Sequence, residues 1–354
     1  GTIIPADVHS SDGLVIIHTA AVGGRPRGAL LSHSNMLLAN LHFTYALAIT
    51  AGDVHLNLLP LFHVGGLFLA TSTFHAGGAN LNISKFDPAA AAALIESHRV
   101  TLFFDFPPIL DSILKAAEEN QRDLSSLRNV VGLGTAEVIN RFQAASGGHY
   151  HVMYGQTETS CLATIGRYND RPGSAGKAIP LADVQLVDEH DRRVAPGEVG
   201  EITLRGPMVF LGYWELPQDN AYTFRDGRHQ TGDLGRFDED GYLFYAGRKA
   251  EKELIKPGGE NVYPAEVEKV ILQHPAIEEV VVFGVPDPKW KEGIKAVCVL
   301  QEAKRLEAAD LIAFVGERIA RFKKPQYVEF VGELPRKDDG SIDRQRVKVL
   351  YGGG

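Results

Sequence analysis

Residues 231–268, TGDLGRFDEDGYLFYAGRKAEKELIKPGGENVYPAEVE, lie where two kinds of sequence pattern meet. Within them Asp240-Gly241 separates two apolar runs, which is the pattern of a β-hairpin. Upstream, short strands and turns over residues 175–245 indicate a β-rich subdomain. Downstream of Arg248, helical and strand patterns indicate a compact α+β unit. The stretch therefore predicts a junction between a large region and a small C-terminal one.

Residues 13–154 alternate short β-branched runs with helical patterns. Here we predict strands at 14–18, 80–83, 100–104 and 129–132, the first of them buried, and helices at 36–48, 89–97, 108–120 and 136–145. Asp87-Pro88 supplies an N-cap and a first-turn proline for the second of these helices. Strands that alternate with helices imply right-handed crossovers. The fold class expected is therefore α/β, with mainly parallel sheets and helices on both faces.

The C-terminal unit has its own predicted elements. Helices are expected at 264–273 and 309–321, strands at 280–285, 296–300 and 327–331, and a loop from Leu334 onward.

Length and composition limit the class of protein. A chain of 354 residues is too long for one ordinary core, so at least two domains are expected. The net charge of −8 argues against nucleic acid as a partner. Cys161 and Cys298 lack metal-site spacing and suit a reducing cytoplasm, and no apolar run is long enough to span a membrane. We therefore expect a cytoplasmic protein.

Two segments have patterns that suit phosphate chemistry. Residues 18–28, HTAAVGGRPRG, are predicted to lie between a strand and a helix, where glycine N–H groups can surround phosphate oxygens. They do not form a Walker A loop, because Ala29 and Leu30 follow the last glycine. Residues 154–158, YGQTE, follow a predicted strand, where a carboxylate can hold Mg²⁺ and a hydroxyl can bind a phosphate oxygen. A plain strand-to-helix turn and a solvated glutamate are the ordinary alternatives.

The order of these motifs closely resembles the adenylate-forming, AMP-binding family of acyl-CoA synthetases. The resemblance covers nearly the whole chain, although the N-terminal part of the family's large domain would precede it. It implies a partial large domain at residues 1–247, a hinge at 248–251 and a mobile α+β C-terminal domain at 252–354.

The resemblance also implies roles for individual residues in nucleotide binding. In the phosphate loop these are Thr19, Gly23, Gly24 and Arg27, and in YGQTE they are Tyr154, Thr157 for the AMP phosphate and Glu158 for Mg²⁺. Gly134, Thr135 and Ala136 would present their backbone to the adenine, unless they form only a plain turn. Asp233 would accept both ribose hydroxyls, because a carboxylate accepts two hydrogen bonds and donates none, and Arg248 would reach the ribose or phosphate.

Further implications concern the acid, CoA and catalysis. His63, in the segment PLFHVGG, would gate the acyl pocket, unless it is only a satisfied core residue, and Gly258 and Gly259 would line a pantetheine tunnel. The family's phosphate-loop lysine is replaced by Arg27, and the family's adenylating lysine is replaced by Ser341. Lys337 and Lys348 are the cations that could substitute for that lysine.

The resemblance thus implies an ATP-dependent ligase that joins a hydrophobic carboxylic acid, fatty or aryl, to CoA through an acyl-adenylate. ATP and CoA would be co-substrates and Mg²⁺ the metal cofactor. The alternatives are a catalytically impaired nucleotide- or acyl-binding relative, which Ser341 favours, and an adenylating enzyme that loads a carrier protein. Whether the chain forms a homodimer is left open.

Overall fold

The computed structural model describes residues 7–19, 26–188, 190–248, 255, 257, 262–288, 290–336, 340 and 342–352. They divide into two compact units. The first contains the described residues up to Thr19 and Arg27–Gly247, and the second contains Pro26 and the described residues from Arg248 onward. None of the helices in these ranges combines the length and apolar character needed to cross a bilayer.

The first unit is built mainly from alternating strands and helices. In chain order its elements are β1 Gly13–Thr19, β2 Arg27–Ser32, α1 His33–Leu47, β3 Val54–Asn57, α2 Val64–His75, β4 Ala79–Asn82, α3 Pro88–His98, β5 Leu102–Asp105, α4 Ile109–Glu119, β6 Asn129–Gly132, α5 Ala136–Ser146 and β7 His149–Tyr154. They continue with short 3-10 helices at Thr157–Thr159 and Tyr168–Asp170, then β8 Thr164–Arg167, β9 Lys177–Ala178, β10 Asp183–Val187, β11 Gly200–Arg205, β12 Gly212–Tyr213, α6 Pro217–Thr223, β13 Phe224–Arg225, β14 Arg228–Phe237 and β15 Leu243–Arg248.

The main sheet has the strand order β4-β3-β5-β6-β7-β8-β9. The strands from β4 to β7 are parallel, and β8 and β9 join antiparallel. Successive side chains of a strand point to opposite faces of the sheet, and helices pack against both faces. Phe104 of β5 packs in a cluster with α1 and α2, whereas the adjacent Phe103 packs with α3, α4 and α5. The predicted α/β class is confirmed.

Local sequence explains where α3 begins. Asp87 is its N-cap and accepts a hydrogen bond from the Ala90 N–H at 2.7 Å. Pro88 follows in the first turn, where its missing N–H costs nothing. The predicted cap pair is confirmed.

The structure corrects the prediction for the first strand and loop. β1 pairs antiparallel with β2, and the predicted phosphate segment begins in β1, with His18 and Thr19, and ends in β2, with Arg27 and Gly28, instead of leading into a helix. The sequence prediction has no strand at β2, because it places the segment 18–28 directly before a helix. β1 is also buried only in part: Ile17 is a core residue, whereas Leu14 and Ile16 are each 39% exposed. β1 is an edge strand of the sheet β1-β2-β12, which explains the exposure of these two side chains.

A second sheet forms the predicted β-rich region. Its order is β10-β11-β14-β13, and β15 also pairs with β14. Gly241 lies in the turn between β14 and β15 with φ +80°, a conformation that glycine adopts without strain. The predicted hairpin is confirmed, and α6 is an element that the sequence pattern did not indicate.

The second unit contains α7 Pro264–Ile271, β16 Ile277–Asp287, β17 Lys291–Leu300, α8 Ala308–Gly316, β18 Tyr327–Val331 and α9 Arg344–Tyr351. β16 and β17 pair antiparallel, and β18 joins β17 in parallel. The predicted loop from Leu334 onward is wrong at its end, because Asp343 caps α9 by accepting from the Arg346 N–H at 3.0 Å.

A partly buried ion pair fastens α9 to the rest of the second unit. Arg344 donates to Glu268 at 2.6 Å, and Glu268 also accepts from the Val282 N–H at 2.7 Å. The carboxylate thus joins α7, β16 and α9.

Candidate functional site

Three parallel strands bring their carboxyl ends to one edge of the main sheet. Asp105, the last residue of β5, stands beside Gly132, the last residue of β6, and Gly132 stands beside Val152 of β7. Loops that leave this edge therefore meet in the place where open α/β sheets usually bind ligands. The loops after β6 and β7 contain the predicted adenine turn and YGQTE.

Asp233 of β14 is held by two residues from this edge. It is only 3% exposed. Tyr154, the last residue of β7, donates its hydroxyl to Oδ2 of Asp233 at 2.8 Å, and Gln156 donates its amide to the same oxygen. Burial and the neighbouring carboxylate raise the pKa of Tyr154 well above its usual value, so the hydroxyl keeps its proton. The structure brings Tyr154 and Asp233 together.

Gln156 is a residue to which sequence reasoning gave no role. Its amide nitrogen also donates to the Thr231 carbonyl at 3.2 Å, and its amide oxygen lies 3.3 Å from Nε2 of His229. The only sequence signal was its position inside YGQTE. A lone glutamine does not reveal its partners, because these come from a strand about 75 residues later.

Glu158 lies in a second buried group. It is 7% exposed, and its Oε1 accepts from the Tyr213 hydroxyl at 2.6 Å. Arg27 lies over the Tyr213 ring at 4.0 Å and pairs with Asp219 at 3.2 Å. Residue 213 was not predicted as a site residue, and its role depends on β12 pairing with β2.

Arg27 is mostly buried, with 8% exposure. Its Nε has no hydrogen-bond partner within the ranges that the structure describes. Thr19 lies opposite Arg27 in the β1–β2 pair. The assignment of both residues to phosphate stays a prediction.

The turn after β6 is packed tightly against a buried tyrosine. A Cβ at Gly134 would stand 2.8 Å from the Tyr150 hydroxyl. Thr135 caps α5 by accepting from the Val138 N–H at 3.4 Å, and Ala136 is the first residue of that helix. The turn thus has a structural role, and its contact with adenine stays a prediction.

The buried carboxyl group of Asp105 holds the tyrosine against which this turn packs. Asp105 accepts from the Tyr150 hydroxyl at 2.8 Å and from the Leu110 N–H at 3.0 Å. Because burial disfavours its charged form, the pKa of Asp105 is raised from 3.8 to about 6. Asp105 was not predicted as a site residue.

His63 is the N-cap of α2, and its Nδ1 accepts from the Gly65 N–H at 3.2 Å. The side chain is exposed and follows two exposed apolar residues, Leu61 and Phe62. Gly66 allows a close approach, since a Cβ there would meet the Pro60 carbonyl oxygen at 2.5 Å. A role for His63 in acyl binding stays a prediction.

Two further predicted residues, Thr157 and Arg248, are described, and the others are not. Thr157 begins a 3-10 helix and is half-buried, and Arg248 is the last residue of β15 and the first of the second unit. Gly23, Gly24, residues 249–251, Gly258, Gly259, Lys337 and Ser341 lie outside the described residues.

Comparison with known proteins identifies the family. The model for AMP-binding enzymes matches residues 2–214, and the model for their C-terminal domain matches residues 266–340. Indoleacetate–CoA ligase of Aromatoleum aromaticum is 37% identical over 99% of this chain and 70% of its own length. Long-chain-fatty-acid–CoA ligase of Bacillus subtilis is 36% identical over 97% of this chain and 63% of its own length.

A solved structure agrees with these matches. A double mutant of o-succinylbenzoate CoA synthetase from Bacillus subtilis, solved with a product analogue, superposes with a TM-score of 0.78. It is 29% identical, and the match covers 96% of this chain and 70% of that one.

The chain belongs to the family of AMP-binding enzymes, whose members among these relatives are acid–CoA ligases. The resemblance inferred from the sequence motifs is confirmed. The chain spans about two thirds of the length of the curated relatives that it matches.

Proposed function

We propose that this protein is an ATP-dependent carboxylic acid–CoA ligase that works through an acyl-adenylate. The observation that carries the proposal is the buried Asp233 carboxylate, held by Tyr154 and Gln156 at the carboxyl edge of the main sheet. A fixed, buried acceptor suits the two hydroxyls of a ribose. The named relatives are acid–CoA ligases, which supports the same conclusion.

In the first step a carboxylate oxygen of the acid attacks the α-phosphorus of ATP. A new oxygen–phosphorus bond forms, and the bond to the bridging oxygen of pyrophosphate breaks. The protein contributes mainly position and electrostatics, since phosphoryl-type transfer requires little covalent chemistry from side chains. We assign Asp233 to the ribose, the backbone of Gly134–Ala136 to the adenine, and Thr157, Thr19, Gly23, Gly24 and Arg27 to the phosphates.

We assign Glu158 to magnesium. Within the described residues, the structure shows no group of three or more His, Cys, Asp or Glu that could hold a metal. A single carboxylate suits Mg²⁺, which is commonly bound by one or two carboxylates together with substrate phosphates. When bound, the ion would neutralise phosphate charge, while Tyr213 holds the Glu158 carboxylate in place.

In the second step the thiolate of CoA attacks the acyl carbonyl, and AMP leaves. We propose that Gly258 and Gly259 line the path of the pantetheine arm and that Arg248 contacts the nucleotide. We also propose the division into a large domain at 1–247, a hinge at 248–251 and a C-terminal domain at 252–354.

The acid is proposed to be hydrophobic. The named relatives include an aryl-acetate ligase and a fatty-acid ligase, so they support the class without choosing between aryl and fatty acids. The exposed apolar residues beside His63 suit either kind.

Exchange of labelled pyrophosphate into ATP tests the first step. With the full-length protein, exchange should require an added hydrophobic acid, and Asp233→Asn should lower it by roughly 10- to 100-fold, as expected for a lost hydrogen bond to a charged group. AMP release with a panel of acids would then identify the substrate. Acid-independent exchange, or none at high enzyme concentration, would contradict the proposal.

Ser341 favours a second candidate function, a nucleotide- or acyl-binding protein with impaired catalysis. The loss of one preorganised donor costs roughly 10²–10³ in rate. Binding of AMP without turnover, followed by a rise in exchange in Ser341→Lys, would identify this case.

A further inference from the structure

The Asp233 carboxylate receives two donors on one oxygen. The Tyr154 hydroxyl reaches Oδ2 at 2.8 Å, and the Gln156 amide donates to the same atom. An aspartate carboxylate otherwise turns easily, because its terminal torsion is broad. Two donors that approach from different residues fix the plane of the group and direct its other oxygen.

The orientation of Gln156 is itself determined by its neighbours. Both the Asp233 carboxylate and the Thr231 carbonyl are acceptors, so the amide nitrogen must face them. The amide oxygen then faces Nε2 of His229 at 3.3 Å, and that ring nitrogen must donate. The donors and acceptors along the chain His229–Gln156–Asp233 therefore match throughout.

His229 is rigidly held. It is completely buried, and its ring packs edge-on against Phe210 with centroids 5.3 Å apart. Phe210 in turn packs against Tyr213 at 4.9 Å. A rigid donor at the end of the chain restricts the Gln156 amide, and through it the carboxylate.

We propose that Gln156 and His229 are positioning residues that orient Asp233, and that they set the preference of this protein for nucleotides with an intact ribose. The inference rests on the proposed function, in which Asp233 binds the ribose hydroxyls. With the carboxylate plane fixed, a nucleotide that lacks a hydroxyl loses a charged hydrogen bond. Each such bond gives roughly 10- to 100-fold discrimination.

The test compares the binding of AMP, 2′-deoxy-AMP and 3′-deoxy-AMP by calorimetry with the full-length protein. The variants are Gln156→Leu and His229→Phe, with His229→Gln as the conservative rescue, because a glutamine amide can replace the donor. Gln185→Leu is the matched control, since Gln185 also donates to an aspartate, Asp183 at 3.0 Å, on β10.

Gln156→Leu and His229→Phe should reduce the preference for AMP to a few-fold while binding of the deoxy analogues changes little. His229→Gln and Gln185→Leu should keep the wild-type ratio. An equal loss for all three nucleotides, or an unchanged ratio in Gln156→Leu, would overturn the inference. Melting temperatures identify variants that fail to fold, in which case Gln156→Met replaces Gln156→Leu and His229→Leu replaces His229→Phe.

Asp233→Asn separates this inference from the proposed function. If the wild type does not discriminate among the nucleotides, the assignment of Asp233 to the ribose fails. If instead the wild type and Gln156→Leu both prefer AMP over the deoxy analogues, while Asp233→Asn does not, only the role of Gln156 and His229 fails.

Discussion

Replacing Asp105 by asparagine should change how the stability of the first unit depends on pH. In the folded protein the pKa of this carboxyl is raised from 3.8 to about 6 by burial. The folded state therefore favours the neutral form of Asp105 more than the unfolded chain does. The stability that Asp105 contributes is full below about pH 4 and is lost as pH rises through about 6. The loss amounts to about 3 kcal/mol over the whole window.

Asparagine removes this titration and keeps the contacts. Its oxygen can accept from the Leu110 N–H, and its amide can donate to the Tyr150 hydroxyl, which accepts as well as donates. The stability of the variant relative to the wild type should therefore increase as pH rises. About half of the 3 kcal/mol falls between pH 5 and 7.5, which corresponds to roughly 3 °C in melting temperature for a unit of this size.

Melting temperatures of both proteins, measured by calorimetry at several pH values in this range, check the prediction. The difference between them cancels the titration of all other groups. Asp170→Asn, at an exposed carboxyl, is the control for the amide substitution itself. Wild-type and Asp105→Asn curves that stay parallel from pH 5 to 7.5 would refute the reasoning.

Three substitutions test other contacts. Tyr213→Phe leaves the buried Glu158 carboxylate without its 2.6 Å donor and should cost roughly 1–3 kcal/mol, measured as a lower melting temperature. Gly134→Ala forces a Cβ to 2.8 Å from the Tyr150 hydroxyl and should weaken AMP binding about 10-fold, measured by calorimetry. Arg344→Met leaves a partly buried carboxylate unpaired and should destabilise the second unit by about 2 kcal/mol, measured by hydrogen exchange in β16.

Each substitution has a matched control. Tyr222→Phe and Arg346→Met lie at exposed positions, and Gly52→Ala places a Cβ at an ordinary 3.7 Å from Thr50. Equal effects in a variant and its control would show that the named contact is not the cause.

Much of the fold could be predicted, because its signals are local. Asp87-Pro88 identifies the start of α3, and Asp240-Gly241 identifies the β14–β15 turn. The fold predictions were wrong where contacts with residues distant in sequence determine the structure. Exposure of β1 follows from its edge position, and α9 is a short helix held by an ion pair to α7, from Arg344 to Glu268.

The candidate site was predictable in part for the same reason. Asp233 and Tyr154 lie in recognisable motifs, and the structure joins them by a hydrogen bond. Gln156, Tyr213 and Asp105 were missed because their roles come from long-range contacts. A glutamine, a tyrosine or an aspartate has no local pattern that reveals a partner 45 or more residues away, such as Tyr150 for Asp105 or Glu158 for Tyr213.

The pairing of β12 with β2 limits how the chain can change in length. Only Gly212 and Tyr213 pair in β12, opposite Leu30 and Ala29. Insertion or deletion of one residue just before Gly212 would shift this register and turn the tyrosine ring away from Arg27. Indels should therefore be rejected between Gly206 and Gly212, a connection in which Met208 and Phe210 are buried, although connections between strands usually tolerate length variation.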